Sequence, residues 1–419
     1  GTQNVAIGNF SLFDNTTADN NTGVGYNTLA STTTGTQNTA VGSIALDNNL
    51  TADNNTAVGY NALGANTTGT RNSALGSLSL RDNTTGNDNT AVGYFSLLSS
   101  TGTRNSMVGA FSAYQTTGND NTGIGYAVMQ STQSASNNTA MGSSALTSNT
   151  TGSSNTAIGS SALQNNTTAS NNTAVGQSAL GVNTTGGHNV AVGSAALDAN
   201  TTGISNVAIG YNALSTSSTA SYNTTVGRAA GRDTTTGAQN TCVGYFAGAN
   251  ITTGTNNLLL GYQVGHAGTP GGVITTGSNN VVLGDNSIQN LFCADTTISS
   301  SDSRDKTDIV DFNIGLKWIE ALRPVTYRWD KRTWYGTEEE PYGTPDGSKK
   351  RIKKHIGFLA QEALEVEKAN GYGTSNDDSL ICNLTDDGMS YGIKYERLVP
   401  ILVNAIKELS AKVTALEAA

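Results

Sequence analysis

Residues 1–300 of this 419-residue chain contain no lysine and no glutamate. Their charged side chains are 5 arginines and 11 aspartates, whereas residues 301–419 hold 17 Lys and Arg and 20 Asp and Glu. All three tryptophans and four of the five prolines also lie after residue 300. This change in composition indicates two different structures: a low-charge rod rich in Thr, Asn and Gly, and a conventional globular domain.

Other scarcities exclude whole classes of function. The three cysteines share no metal-ligand spacing, their odd number gives no disulfide framework, and the three histidines are scattered (Cys242, Cys293, Cys382; His188, His266, His355). Neither part is basic, so the chain lacks the positive surface of a nucleic-acid-binding protein. No apolar run approaches a membrane span, and no signal peptide is visible. We therefore expect no metal, no cofactor, no nucleic-acid partner and no membrane insertion.

One repeated phrase dominates the chain from residue 1 to residue 284: Asn, two or three small or apolar residues, an aliphatic residue and Gly. Successive glycines follow a period of seventeen, apart from two intervals of sixteen and a last one of twenty-three, and an Asn lies four positions before each. A short fixed period is typical of a solenoid. The glycines are residues 8, 25, 42, 59, 76, 93, 109, 125, 142, 159, 176, 193, 210, 227, 244, 261 and 284.

Such a period is too short for a helical hairpin, so each repeat predicts one coil of a parallel β-solenoid with two short strands and two turns. The Gly suits a positive φ or a close approach of backbones, and the Asn suits a turn in which it stacks on its counterpart one coil away. A Leu four positions after many of the glycines, such as Leu63, provides a second apolar anchor. The alternative, low-complexity disorder, fits poorly with this strict register.

A coil filled with Ala and Val buries little apolar area, so we expect an oligomer in which chains share burial. The phrase Asn-Val-Ala-Ile-Gly at 4–8 and 206–210 resembles the head repeat of trimeric autotransporter adhesins, and similar phrases occur in viral and phage fibres. This resemblance covers residues 1 to about 286 and implies a trimer of parallel β-rolls. Because those heads commonly use shorter repeats, the coil shape can differ.

Two further motifs follow the repeats. Residues 298–309 contain the pattern Ser-Asp-x-Arg-x-Lys-x-Asp-Ile, and residues 355–362 contain His-Ile-Gly-Phe-Leu-Ala-Gln-Glu. Together they resemble the C-terminal intramolecular chaperone domain of phage tail-spike endosialidases and neck appendages, and the autoprocessing domain of myelin regulatory factor. The resemblance covers roughly residues 301–419. The matching positions are Ser301, Asp302, Arg304, Lys306, Asp308, Ile309, Gly357, Phe358, Ala360, Gln361 and Glu362.

The resemblance implies that this domain trimerises the upstream fibre and then cuts itself off between Ser300 and Ser301. Ser301 is then the nucleophile and Lys306 its general base. The domain would thus be a single-turnover serine endopeptidase with a Ser-Lys dyad. A Ser hydroxyl needs such a base, and a Lys serves only when its pKa is depressed. Ser303 is a rival nucleophile, and His355 is either an auxiliary catalytic group or a packing residue. The alternative is that this segment is a non-catalytic polar linker in which Ser301 and Lys306 occur by chance.

The rest of the second part predicts a small α+β domain. A helix is expected at 313–322, a strand at 324–329, an exposed hairpin or loop at 336–354, and a strand end passing into a helix at 357–369. The C-terminal segment 396–419 carries apolar heptads, with β-branched residues at a positions and Leu at d positions. It predicts a coiled coil, or else one amphipathic helix packed on its own domain. The heptad residues are Val399, Ile406, Val413, Leu402, Leu409 and Leu416.

The predicted organisation is a β-solenoid at 1–290, a linker at 291–300, a chaperone and autoprotease domain at 301–395 and a coiled-coil helix at 396–419. We expect a homotrimeric viral tail-fibre or tail-spike segment, joined through an upstream region to its particle or baseplate, that binds a host-surface glycan receptor. A bacterial trimeric surface adhesin at the cell surface is one alternative. A glycan-binding or glycan-degrading spike is another, although the solenoid offers few paired carboxylates.

Overall fold

The computed structural model describes residues 1–288, 307–336, 340, 342–375, 378–384 and 391–418. These residues form two compact units. The first consists of Gly1–Val264 and Thr275–Leu283, and the second of Gly265–Ile274 and Gly284–Ala419. The repeats make up the first unit, and the three α-helices lie in the second.

Each coil of the first unit contributes one short strand to a single parallel sheet of 17 strands. Equivalent residues of successive coils pair, as Ala157 does with Ala174. The prediction of a mostly β protein with a parallel β-solenoid of seventeen-residue coils is therefore confirmed. The strands are Val5–Ile7, Thr22–Val24, Thr39–Val41, Thr56–Val58, Ser73–Leu75, Thr90–Val92, Ser106–Val108, Thr122–Ile124, Thr139–Met141, Thr156–Ile158, Thr173–Val175, Val190–Val192, Val207–Ile209, Thr224–Val226, Thr241–Val243, Leu258–Leu260 and Val281–Leu283.

The prediction of two strands in every coil is wrong. After the Gly, two residues of the coil take left-handed backbone angles, as Ser161 (φ 58°) and Leu163 (φ 50°) do. This conformation turns the chain, so the residues around the recurrent Leu are not extended. A second pairing occurs between Ser99–Ser100 and Gln115–Thr116, in the part of the solenoid where the period falls from seventeen to sixteen.

Beside the buried asparagines, the apolar interior of most coils is built from Ala and Leu. The middle strand residue and the Leu after the Gly are buried, as Ala157 and Leu163 show. The aliphatic residue just before the Gly points outward instead, and Ile158 and Ile209 remain 38% and 39% exposed. The expectation that Val helps to fill the coil is therefore wrong at this position, because side chains alternate between the two faces of a strand.

The recurrent Gly and Asn have the structural roles that their spacing predicts. Gly25 has φ +139°, and a Cβ added to it lies 2.6 Å from the carbonyl oxygen of Gly42 in the next coil. Both facts require glycine, since a side chain here is strained and collides with backbone. Asn38 donates its backbone N–H to Oδ1 of Asn21 at 2.9 Å and its side-chain amide to the carbonyl of Ala52 at 2.8 Å.

The second unit contains helices α1 (Leu316–Ala321), α2 (Ala360–Lys368) and α3 (Leu398–Glu417). Strand Val325–Tyr327 pairs antiparallel with His355–Gly357, and Cys382–Leu384 pairs antiparallel with Tyr391–Ile393. Short 3₁₀ helices lie at Arg332–Trp334 and Tyr395–Arg397. The core joins α1, α2 and α3 through Trp318, Leu322, Ala363, Ile381, Cys382, Leu398 and Ile401. The predicted helices and strands are thus present, although α1 begins at Leu316 rather than at Asn313.

Candidate functional site

The Gly-Phe-x-Ala-Gln-Glu motif forms the junction between a strand and α2. Gly357 ends its strand beside Tyr395, whose hydroxyl oxygen lies 2.5 Å from the position of an added Cβ. The backbone N–H of the next residue, Phe358, donates to the same hydroxyl at 3.1 Å. The Gly therefore admits the tyrosine that ties this junction to the start of α3. Ala360 begins α2, and its carbonyl accepts a hydrogen bond from the Cys382 thiol at 3.5 Å.

The last residue of the motif, Glu362, forms a bidentate ion pair with Arg323, which follows α1. Arg323 Nε donates to Glu362 Oε2 at 3.1 Å, and Arg323 Nη2 donates to Glu362 Oε1. The hydrogen bond and charge of Arg323 lower the pKa of Glu362. Both side chains are largely exposed, so this pair aligns α1 with the first turn of α2 more than it stabilises the fold. Gln361 lies beside it and lines a cavity with Asn383 and Tyr391.

A buried carboxylate that the sequence analysis missed lies on the inner face of α2. Glu367 is fully buried and accepts hydrogen bonds from the Ser379 hydroxyl at 2.7 Å, from the backbone N–H of Cys382 at 3.1 Å and from that of Ile381. It therefore anchors the segment that leads into the second strand pair. The signal available in the sequence was its spacing of four from Ala363, which places both on the buried face of one helix.

His355 lies in an aromatic and basic cavity. Its ring stacks on Tyr327 with centroids 5.6 Å apart, and the ring of Trp329 lies 6.3 Å away. The cavity has a volume of about 540 Å³ and is also lined by Lys331, Trp334, Lys350, Arg351, Ile352 and Lys353. Burial lowers the pKa of Lys331, and the nearby Arg351 lowers it further. The cavity is electropositive and His355 has packing partners within it.

Helix α3 has two apolar faces. Leu398, Ile401 and Ala405 are buried against the second unit, and the Asn404 amide donates to the Ile314 carbonyl at 3.3 Å. The six heptad residues point elsewhere and are exposed by 43–78% (Val399, Leu402, Ile406, Leu409, Val413 and Leu416). The helix therefore packs on its own domain with a face that the heptad pattern did not identify, and leaves the heptad face without a partner in the described residues.

The predicted catalytic residues Ser301 and Lys306, the cleavage position Ser300–Ser301 and the motif residues Asp302 and Arg304 lie outside the described residues, as does the rival Ser303. The last two motif residues of that segment are described. Asp308 and Ile309 are exposed, and Asp308 has a left-handed φ of 52°.

Residues 301–372 match a peptidase family whose description is "Chaperone of endosialidase". The chain therefore carries a domain similar to that family after a β-solenoid. The matched range includes α1, the strand pair and α2, and it ends before the second strand pair and α3. No curated protein and no solved structure matches the chain significantly.

The two cysteines in the described part of the chain, Cys242 and Cys382, are buried and form no disulfide there. Burial raises the pKa of the Cys382 thiol, and that of Cys242 in the solenoid, to about 12, so neither provides a thiolate nucleophile near neutral pH. No group of His, Cys, Asp and Glu side chains in the described part could hold a metal ion. None of its helices is both long and apolar enough to cross a membrane.

Proposed function

We propose that this chain is a trimeric fibre or tail-spike segment whose C-terminal domain aligns three solenoids and then releases itself by autoproteolysis. The observation that carries the proposal is the family match, which begins at Ser301, the residue that would follow the cut. A peptidase-like chaperone that follows a repetitive solenoid would act during assembly only, because it is removed from the chain once the solenoid has folded. Attachment to a host surface from a virion is the role proposed for the solenoid.

The proposed reaction uses Ser301 and Lys306. Unprotonated Lys306 takes the proton from Ser301 Oγ, which attacks the carbonyl carbon of Ser300. The C–N bond breaks, the amide nitrogen of Ser301 receives the proton, and an ester joins Ser300 to Ser301 Oγ. Water then hydrolyses that ester, leaving a carboxylate at Ser300 and a free amine at Ser301.

Two apolar surfaces, both without a partner among the described residues, support the homotrimer. The outer face of the sheet carries a continuous row of half-exposed aliphatic residues, for example Ile124, Ile158, Ile209 and Val243 at 38–42% exposure. Helix α3 carries the second surface, its exposed heptad row. Apolar rows of this length on a soluble protein typically mark protein interfaces. If three chains pack against one another through these two rows, the trimer buries apolar surface that a single chain leaves exposed.

The near-identity of the coils supports the need for a chaperone. Equivalent strands such as Thr156–Ile158 and Thr173–Val175 present almost the same surface to another chain, so pairings slipped by a coil are nearly as favourable as the correct one. A C-terminal clamp would set the register before the solenoids associate. Its removal would then make the assembly kinetically irreversible.

The test compares the full chain with its Ser301→Ala, Lys306→Met and Ser303→Ala variants, by denaturing gels and N-terminal sequencing after folding. We expect the parent chain and Ser303→Ala to yield a fragment that starts at Ser301, and the other two to stay intact. Ser303→Ala is the matched control because it removes the rival hydroxyl. A parent chain that remains intact, or a new N-terminus elsewhere, would show that the proposed cleavage is wrong.

A further inference from the structure

The solenoid contains one arginine that differs from the other four in its surroundings. Four arginines form ion pairs with aspartates: Arg71 with Asp88, Arg81 with Asp82, Arg104 with Asp120, and Arg232 with Asp233. Arg228 has no carboxylate partner in the described part of the chain, and its side chain is exposed. It therefore places an uncompensated positive charge on a surface that carries no lysine.

Aromatic rings take the place of the missing carboxylate. The guanidinium carbon of Arg228 lies 5.8 Å from the ring centre of Tyr211, 5.5 Å from that of Tyr245 and 5.6 Å from that of Phe246. Nη1 of Arg228 donates a hydrogen bond to the Tyr245 hydroxyl at 2.9 Å. The ring of Tyr262 stacks on Tyr245, with centroids 5.3 Å apart and planes 8° from parallel. We call these five residues the Arg228 patch.

The patch is a column that runs along the solenoid. Tyr211, Arg228, Tyr245 and Tyr262 each follow the recurrent Gly of four successive coils, which are about 4.8 Å apart. Tyr211 is 52% exposed, Tyr245 37% and Tyr262 55%. The column therefore presents guanidinium N–H groups and phenol hydroxyls at regular intervals to solvent.

The guanidinium remains open to an anion. Its Nη1 donates to the Tyr245 hydroxyl, whereas the edge formed by Nε and Nη2 has no partner in the described part of the chain and can match two oxygens of one acidic group. The rings also restrict the side chain before any ligand binds, which lowers the entropic cost of binding. In the four paired arginines, by contrast, Nε and Nη2 already donate to the two oxygens of a neighbouring carboxylate.

We infer that the Arg228 patch binds an acidic saccharide, with Arg228 holding a carboxylate or sulfate group and the tyrosine hydroxyls bonding sugar hydroxyls on either side. Arg232 also lies over Phe246, 5.4 Å from its ring centre, but its charge is neutralised by Asp233. One unpaired cation among neutral hydroxyl groups suits a sparsely charged, polyhydroxylated chain better than a nucleic acid, which requires several phosphate contacts. The column direction also suits an extended ligand. The inference rests on the host-attachment role proposed above and names the chemical class of the receptor.

The test measures binding of the full chain to three probes: hyaluronan oligosaccharides (carboxylate), dextran sulfate (sulfate) and neutral dextran. Calorimetry should detect binding to at least one acidic probe and none to dextran, and the preferred probe identifies the acidic group. Arg228→Gln should lower that affinity about tenfold or more, the value of a charge-assisted hydrogen bond. Arg104→Gln, which removes another exposed arginine that is paired with Asp120, should change it by less than about twofold.

Arg228→Lys keeps the charge but not the planar pair of donors, and should lose most of the same affinity. Melting curves of all variants check that the solenoid is intact. Equal binding to dextran, no binding to either acidic probe, or equal losses in Arg228→Gln and Arg104→Gln would overturn the inference. Cleavage at Ser301 and the oligomeric state, measured on the same samples, report the proposed function separately.

Discussion

The backbone N–H of Asn206 donates a hydrogen bond to Oδ1 of Asn189, its counterpart one coil earlier, at 2.9 Å. The side-chain amide of Asn206 donates to the carbonyl of Ala220 at 2.7 Å, and its own Oδ1 accepts the backbone N–H of Asn223 at 3.0 Å. Both neighbouring asparagines are buried like Asn206 itself. Each turn is thus held by the coils on both sides, which makes the asparagine row a continuous interior hydrogen-bond ladder.

Replacing one member of this ladder should destabilise several coils at once. Asn206→Ala leaves the N–H of Asn223 and the carbonyl of Ala220 buried without partners, at a cost of about 1–3 kcal/mol for each. The exposed Asn165 is the matched control, and Asn165→Ala should change stability by less than about 0.5 kcal/mol. Thermal unfolding followed by circular dichroism checks this, and equal melting temperatures for the two variants would contradict the ladder's role.

The buried carboxylate of Glu367 gives a test of the second unit. Glu367→Ala leaves two backbone N–H groups unpaired in the core, so we expect a loss of about 3 kcal/mol or more. Glu367→Gln keeps one oxygen for those donors and can donate to Ser379, so it should lose less than half as much.

Glu365→Ala is the control on the same helix, because Glu365 is exposed and forms only a surface ion pair with Lys368. Its effect should stay below about 1 kcal/mol. Near-ultraviolet circular dichroism, which reports on the buried Trp318, measures the unfolding of this unit in each variant. A loss for Glu365→Ala as large as that for Glu367→Ala would show that burial of the carboxylate is not the cause.

The loop after α2 predicts a specific dependence on pH. Hydrogen bonds to Asp378, first of all from the Thr374 hydroxyl and then from the Ser375 backbone N–H, lower its pKa from 3.8 to about 2. Because the folded pKa is depressed, this stabilisation is present above pH 3.8 and is lost as the pH falls towards 2. The difference in melting temperature between the parent chain and Asp378→Asn should therefore shrink over that interval.

Thr374→Val provides the companion measurement, because it removes the first of these donors and leaves the carboxylate. Titration followed by nuclear magnetic resonance should place the pKa of Asp378 closer to its ordinary value in this variant. An unchanged pKa would mean that the Thr374 hydroxyl does not hold the loop in solution.

The exposed heptad face of α3 predicts how the chain associates. Leu409→Asp puts a charge in the apolar row and should reduce the trimer expected from light scattering to smaller species. Ala411→Asp is the matched control, since Ala411 is exposed on the same helix outside the heptad positions. A monomeric parent chain, or equal effects of the two substitutions, would contradict the proposed role of α3 in trimerisation.

Most of the solenoid was predictable because it is periodic. Spacing alone identified the coil length, the parallel stacking, the positive φ of glycines such as Gly25 and the stacked asparagines, since a residue that recurs in every coil occupies the same place in each. In the second unit, the pattern of apolar residues predicted the strand around Thr326 and helices α2 and α3. These are local properties, and local pattern is what a sequence displays directly.

Only the tertiary structure decided which neighbours those residues meet. A left-handed turn at Leu163 stands where a second strand was expected, Ile158 points outward and contributes to an apolar row, and α3 packs through Ile401 rather than through its heptads. The same holds for Glu367 and Arg228, whose partners come from other segments or other coils. Burial and pairing depend on contacts between residues distant in the chain, and these contacts form only when the chain has folded.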